Sequence, residues 1–481
     1  MRAATGFLIF SLLVRPATGS AQIDTVSLDL AATLLFPSFP IKSSYTSLFD
    51  KRNGQHYLYS ANMEFGLGIY DISDPGAIST VQNLGIAAFG NHDVSTIEQR
   101  NNSLFVGLGD FHINNDNVAS GLAILDISDP EAPVVKDIWD STAFLRGVSH
   151  LIVEGNFAYL TTMKDGIIIL NIQDENHIGF ESSLQLDLSF PAPSGNAHNA
   201  RGLQIKNDTL YVCFDRGGLR AVDVTDKQHP VEVYQYINPA LNASAGAAYN
   251  DIAIKGNYAF VSVDYCGLEV IDIGSIPFAS VQWYNPWGCN FTNWSGAAIH
   301  TNEVMLANND SLLFVSGGQS ELLVFDVTNP EAMVEAGAFV NLYDTLATNG
   351  LDVFNNRVSL SFIHTPFHIP PFTPFFADPG GLKILDYQIG LLSSDAKEPP
   401  TAWVRIAPNP VADRLLVETD ASLEAYVLLD LFGKELMKKR LGNAVSRFEI
   451  TGLGKLPEGL YFLKIKTADN QYLVRKIIRA R

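Results

Sequence analysis

The sequence predicts an all-β protein: a seven-bladed β-propeller with an N-terminal strand closing the last blade, followed by a small C-terminal β-sandwich. Three observations predict it. One short phrase recurs seven times, its copies are spaced as four-stranded units would be, and composition and charge change beyond residue 390.

The copies run Gly66–Pro75 (GLGIYDISDP), Gly121–Pro130, Gly166–Glu175, Gly217 or Gly218 to Lys227, Gly267–Ile276, Glu321–Pro330 and Gly381–Gly390. Each apolar run closes on an acidic or amide residue: Asp71, Asp126, Asn171, Asp223, Asp272, Asp326 and Asp386. The gaps between these anchors are 55, 45, 52, 49, 54 and 60 residues, enough for four short strands with turns. No helical period of 3.6 intervenes.

Taken along the chain, the first element is a secretory signal over residues 1–21. Arg2 supplies a basic start, Gly6–Val14 is apolar, and Gly19–Ser20–Ala21 offers small residues for cleavage. Nine apolar residues are too few to span a bilayer, and no later stretch is long enough, so no transmembrane segment is expected after processing. Thr25–Phe36 is a strand without inner partners of its own, and it is expected to supply the missing outer strand of blade 7.

Residues 22–390 form the expected ring. Blade 2 illustrates the unit. Asp93–Glu98 alternates and reads as the inner strand, Asn101–Asn102–Ser103 as a turn, and Leu104–Leu108 as the second strand. Leu122–Ile127 is the third, Ser128–Asp129–Pro130 a turn, and Val134–Trp139 the outer strand. Val, Ile, Leu, Tyr and Phe dominate these runs, as suits sheets buried on both faces. Blade 7 lacks an outer strand, because Ser393–Pro400 within the expected linker 391–402 has loop composition.

Residues 403–481 carry alternating strands and turn residues, which predict the sandwich. They hold 14 Lys and Arg against 9 Asp and Glu, a net of +5; with −19 in total, −24 falls on residues 1–402. An acidic ring with no basic, aromatic-interleaved patch disfavours nucleic acid.

The Gly-Leu-x-hydrophobic-hydrophobic-Asp-Ile/Val-Ser/Thr-Asp/Asn-Pro phrases, with Gly155–Tyr159 and Gly256–Phe260, resemble the LVIVD-repeat family of bacterial and archaeal surface proteins. That resemblance spans roughly residues 25–390 and implies the propeller, but no common activity. The C-terminal segment resembles the type A (Por-type) sorting domain of the type IX secretion system of Bacteroidetes-type bacteria. Asn409–Pro410, Leu431–Phe432–Gly433–Lys434, the LPEGLY phrase at Leu456–Tyr461 and the basic end carry the likeness, in order. It implies two-step export through the periplasm, the type IX machinery as a partner through residues 403–481, and a secreted or outer-cell-surface destination.

Three features place themselves on the face where such rings meet ligands. Polar residues precede the inner strands: His92, Asp93, Arg146, His198, Arg201, Asn250, Asp251, His300, Asn349 and Asp352. They either converge on the channel mouth to bind a ligand or cap loops and bond backbone. Aromatic loops follow, with Trp287 and Trp294 in Trp283–Trp294 and Phe372 and Phe375 in Phe362–Gly381; such rings suit sugars and protein partners. The acidic loop Asp110–Gly121 offers Asp110, Asn114 and Asp116 as oxygen ligands for calcium, though not in EF-hand order. Asp165, Asp215 and Asp264 recur at one blade position and suggest turn chemistry.

Cys213 is expected to be a buried thiol. Cys266 and Cys289 lie in loops that share one face, so a disulfide between them is expected in an oxidising compartment. No nucleophile or acid/base pair stands at an identifying spacing, so no catalytic residue is assigned, and no cofactor is expected apart from the calcium alternative. P-loop, HExxH, GxSxG and CxxC motifs are missing. The leading expectation is therefore an exported binding scaffold for a glycan or protein. The alternative is an extracellular hydrolase or lyase using a polar, metal-assisted channel mouth.

Overall fold

The computed structural model describes residues 23–479 apart from 38–42, 53, 55, 75, 110–117, 192–197, 243–246, 287–288, 290–299, 319–320, 340–345, 365–378, 392–403, 409–410, 430–434, 458 and 468–471. Seven four-stranded antiparallel sheets form the ring. The inner strands are Thr46–Phe49, Val94–Arg100, His150–Glu154, Leu203–Lys206, Tyr249–Lys255, Val304–Ala307 and Ala347–Phe354. Second and third strands are buried almost throughout, as in Ser103–Leu108 and Leu322–Asp326, whereas outer strands such as Val134–Ser141 are half-exposed. This gradient explains why the repeated phrase, which is the third strand, reads as a continuous apolar run.

Each end of the phrase has a physical cause. Its leading glycine is left-handed in four copies, with φ +83° at Gly66, +86° at Gly166, +80° at Gly218 and +86° at Gly267. A Cβ at Gly66 would also lie 2.0 Å from the Leu84 carbonyl oxygen of the outer strand. Its closing Asp folds an Asx turn: Asp71 Oδ1 accepts from the Ser73 amide at 2.7 Å, and Asp126, Asp223, Asp272 and Asp326 each accept from the amide two residues on at 2.8 Å. The second acid of the phrase repeats the device, with Asp74 Oδ1 holding Gly76 and Asp129 Oδ1 holding Glu131. Asp386 is different because its strand, Gly381–Leu391, runs on, and there Arg357 binds its carboxylate at 3.0 Å.

That last strand continues because it has a partner. Ile23–Leu35 pairs antiparallel with it, from Val26 opposite Ile389 to Leu35 opposite Gly381. The N-terminal strand thus completes blade 7, and Ala32 and Phe36 pack with Phe49, Leu58, Tyr70, Leu382 and Ile384 across the seam to blade 1. Closure removes the bare sheet edges an open ring would leave.

The blades are also tied by hydroxyls. Thr161, Ser262, Ser316 and Ser361, at matching places in their second strands, each donate to a carbonyl of the next blade: Arg201, Asn302, Asn349 and Tyr45 in turn. Cys213 holds this place in blade 4 as a buried thiol, and burial pushes its pKa well above the usual range.

The C-terminal segment forms a separate five-stranded sheet around Leu415, Val417, Leu423, Tyr426, Leu428, Leu463 and Ile465. Its long strands Leu415–Leu429 and Glu435–Ile450 pair in two stretches separated by register shifts. Val404–Ala407 therefore joins one half, and Gly459–Thr467 with Tyr472–Arg479 the other.

Candidate functional site

The residues that lead into the inner strands gather at one end of the ring. A pocket of about 320 Å³ there is lined by Tyr45, Ser149, Arg201, Asn250, His300 and Asn349, with Asp215 and Asp264 beneath. The two aspartates occupy one position just past the second strand, where Met63, Met163 and Gly318 stand in other blades. Each bridges the lead-in of the next blade: Asp215 pairs with Tyr249, Asp264 with Thr301. The position demands positive φ, 52° at Asp215 and 40° at Asp264, which Asp tolerates better than most residues. Asp165 lies two residues beyond the equivalent Met163 and instead accepts from the Leu145 amide at 2.9 Å, so only two of the three aspartates share the position.

Each of these aspartates faces a basic side chain at the mouth. Arg201 Nε lies 4.0 Å from Asp215 Oδ2, and Asn199 donates to the same oxygen at 2.8 Å. Burial raises the Asp215 pKa, against the pull of Arg201 and Asn199. His300 Nε2 sits against Asp264 Oδ1, and the Tyr265 ring stands edge-on to the imidazole at 4.9 Å. The amides are fixed by the neighbouring blade: Asn250 Nδ2 donates to Thr301 O, and Asn349 Nδ2 to Tyr45 O, both at 2.8 Å. Ser149 Oγ donates to Ala200 O at 2.7 Å.

Below the mouth the channel widens into a cavity of about 510 Å³ walled by the inner strands. His150, Asp251 and Glu303 line both spaces and form a waist. Asp251 Oδ2 accepts from the Val304 amide at 3.0 Å, and its Oδ1 faces His150 Nε2 at 3.8 Å. Gly202 makes room for this carboxylate, since a Cβ there would lie 2.2 Å from Asp251 Oδ1. Glu303 Oε2 accepts from the Leu351 amide at 2.8 Å, and Asp352 Oδ2 from the Phe49 amide at 2.8 Å. The acids thus stitch successive inner strands together around blades 5, 6, 7 and 1. Burial raises the Asp251 pKa. Burial and then the Asp251 charge hold Glu303 well above the carboxylate range. Glu98 is pushed up to about 7 by burial, with Lys51 opposing and Asp352 adding to the shift.

The structure thus divides the polar set expected at the mouth. Arg201, Asn250 and His300 line it, and Asp251 lies at the waist. His92 does not join them: it turns to the rim, where its Nε2 meets Asp140 Oδ2 of the outer strand at 3.2 Å. His198 is buried, edge-on to Phe214, with Nε2 at 3.0 Å from Phe190 O. Arg146 is exposed and Asp93 half-buried, and neither lines either cavity. The reason is that lead-in loops differ in length and register shifts interrupt the first pairs of several blades, as between Val94 and Thr96. Offset from the strand therefore does not fix direction. Trp287, Trp294, Phe372, Phe375, Asp110, Asn114 and Asp116 lie outside the described residues. Cys266 and Cys289 are joined as a disulfide, and Trp283 Nε1 donates to Cys266 O at 2.7 Å.

Glu98, Glu303, Lys51 and His150 were not singled out from the sequence. The signal for Glu98 and His150 is a charged or polar residue in a strand that should alternate toward a core, as in DVSTIE; Glu303 and Lys51 lie just outside their strands. Among the described residues no three His, Cys, Asp or Glu side chains close on one point as a bound metal requires.

Residues 405–479 match the family described as secretion system C-terminal sorting domain, and residues 117–141, 197–238 and 245–278 match the LVIVD repeat. No curated protein matches the chain. Among solved structures, the RRP9 WD40 repeats align with TM-score 0.51 at 10% identity, over 77% of this chain and 99% of that one. A chain of the mitotic checkpoint complex aligns with TM-score 0.50 at 11% identity, over 80% and 98%. PorZ, a bacterial surface component of the type-IX secretion system of Porphyromonas gingivalis, aligns with TM-score 0.41 at 13% identity, over 89% and 65%. The first two likenesses show the propeller fold, and the sorting domain marks export by type IX secretion to the cell surface or the medium. No helix among the described residues is long and apolar enough to cross a membrane.

Proposed function

We propose that this exported propeller is a binding scaffold whose channel mouth receives a neutral, hydroxyl-rich ligand, a glycan or a glycosylated protein. One observation carries the reading. Ser149, Asn250, His300 and Asn349 of the mouth are held in place by contacts to neighbouring blades, and Arg201 stands beside Asp215 of its own blade, so the pocket is a rigid rim of amides, hydroxyls and acid–base contacts. Rigid alternating donors and acceptors favour hydroxyl groups, and preorganisation lowers the entropic cost of binding. Delivery to the outside of the cell suits a receptor for extracellular polymers.

A glycan array on the mature protein tests this, followed by titration of any hit against Asn250→Ala and Arg201→Ala. Both variants are expected to weaken the hit at least tenfold. Retention of full affinity in both would remove the mouth from the proposal.

The hydrolase or lyase reading keeps one specific observation, the His300–Asp264 pair with Tyr265 beside it, because a carboxylate that orients an imidazole is the usual preparation of a general base. Turnover of a polysaccharide panel that His300→Gln abolishes would favour it over the scaffold.

A further inference from the structure

The axial cavity below the waist is independent of the mouth's ligand and has its own chemistry. Matching positions of the inner strands face it at two levels. The upper carries Asp251 and Glu303; the lower, two residues further along the strands, carries Glu98 and Asp352. Two strand residues advance about 7 Å, so the two carboxylate levels are separated by roughly that distance along the axis. At the lower level, beside those two acids, blades 3, 5 and 6 present Ile152, Ala253 and Met305, an apolar strip.

These acids are not all satisfied by the protein. Asp352 is 1% exposed, yet its Oδ1 is buried without a hydrogen bond; its salt-bridge partner among the described residues is Lys51 Nζ at 3.2 Å. The Glu98 carboxylate makes no hydrogen bond among the described residues, and charge from Lys51 and Asp352 alone acts on it. Asp251 Oδ1 faces the His150 ring, 3.8 Å away. Buried polar atoms are nearly always paired, so this concentration on the axis calls for a partner. Lys51 already shows which kind of group the cavity accepts: an ammonium on a methylene stem.

We propose that the axial channel binds a linear aliphatic diamine or polyamine. One ammonium sits between Asp251 and Glu303, the next between Glu98 and Asp352, and the methylenes lie on Ile152, Ala253 and Met305. A compact metal ion is a poorer match, because the carboxylates are spread over two levels and do not converge. A single ammonium would satisfy only one level.

The test is calorimetric titration of the full chain with 1,4-diaminobutane at pH 8 and low salt, where the acids are most charged and least screened. n-Butylamine and calcium chloride serve as comparisons. Saturable one-to-one binding of the diamine is expected, at least tenfold tighter than n-butylamine. Glu98→Gln and Glu303→Gln are each expected to weaken it at least tenfold. Glutamine copies the shape of a protonated carboxyl, so both variants should keep the wild-type circular dichroism, which is measured alongside. No heat with millimolar diamine, equal affinity for n-butylamine, tighter binding of calcium, or undiminished binding in both folded variants would each overturn the proposal. None of these readouts depends on the mouth's ligand.

Discussion

Lys383 and Glu321 provide the sharpest energetic test of how the ring is specified. Glu321 stands where the other phrases begin with glycine, and its backbone keeps the left-handed conformation of that place, φ +51°. Lys383 occupies the third position of the blade 7 phrase. Its Nζ meets Glu321 Oε1 at 2.9 Å and Oε2 at 3.1 Å, with side chains 3% and 0% exposed. The ammonium also lies over the Phe362 ring at 4.9 Å. Replacing Lys383 by Met leaves a buried carboxylate uncompensated, which costs about 3–5 kcal/mol. Glu321→Gly alone strands the ammonium and should cost a similar amount, reduced by roughly 1 kcal/mol for relief of the left-handed backbone. The double variant Glu321→Gly/Lys383→Met restores the glycine of the other copies and removes both charges. It should fall within about 2 kcal/mol of wild type, so the coupling in the cycle should reach at least about 3 kcal/mol. Urea unfolding of the propeller, followed by intrinsic fluorescence, measures all four proteins. Single variants that lose less than about 1 kcal/mol, or a double variant whose loss equals the sum of the two, would refute the reasoning.

Three further outcomes are expected. Glu98 has its folded pKa raised to about 7 from 4.5, so its contribution is fully present below the unfolded value and is lost as pH rises through the folded one. Melting temperature should therefore fall between about pH 4.5 and 7 by an amount equivalent to at most about 3 kcal/mol, and Glu98→Gln should flatten that slope in calorimetric scans. Gly202→Ala should cost about 1–3 kcal/mol in urea unfolding, because the new methyl would displace the Asp251 carboxylate from the Val304 amide; a neutral result would mean that the waist is loosely packed. Asp126→Ala removes the Asx bond to Ser128 and should cost about 1 kcal/mol by the same measurement, whereas Asp126→Asn should stay near wild type.

What the sequence disclosed was whatever acts over a few residues. The Asp-Ile-Ser-Asp-Pro ending is legible because an Asx turn needs only its own side chain and the amide two residues on. The closing strand was legible as a deficit: blade 7 had three strands and Thr25–Phe36 had no mates. The site was harder. Which of two residues in a lead-in loop faces the axis depends on register shifts such as that between Tyr249 and Asp251, and these leave no mark in composition. Glu321 and Lys383 lie 62 residues apart, and Glu98 and Asp352 are brought near each other only by closure of the ring. Such pairs are products of the assembled channel and have no local signature.

Closure by the N-terminal strand also sets an order of events. Val26 pairs with Ile389, so the first strand made waits for the last strand of the ring before it has a partner. Until then blade 7 lacks its outer member, and contacts this distant in sequence form slowly. The sorting domain follows at residues 405–479, later still. A ribosome that stalls anywhere inside the propeller therefore releases a chain with neither a finished ring nor the sorting domain for the second export step. The sorting domain is attached only to polypeptides that already contain everything needed to close, so chain order itself screens incomplete products from the second step of export.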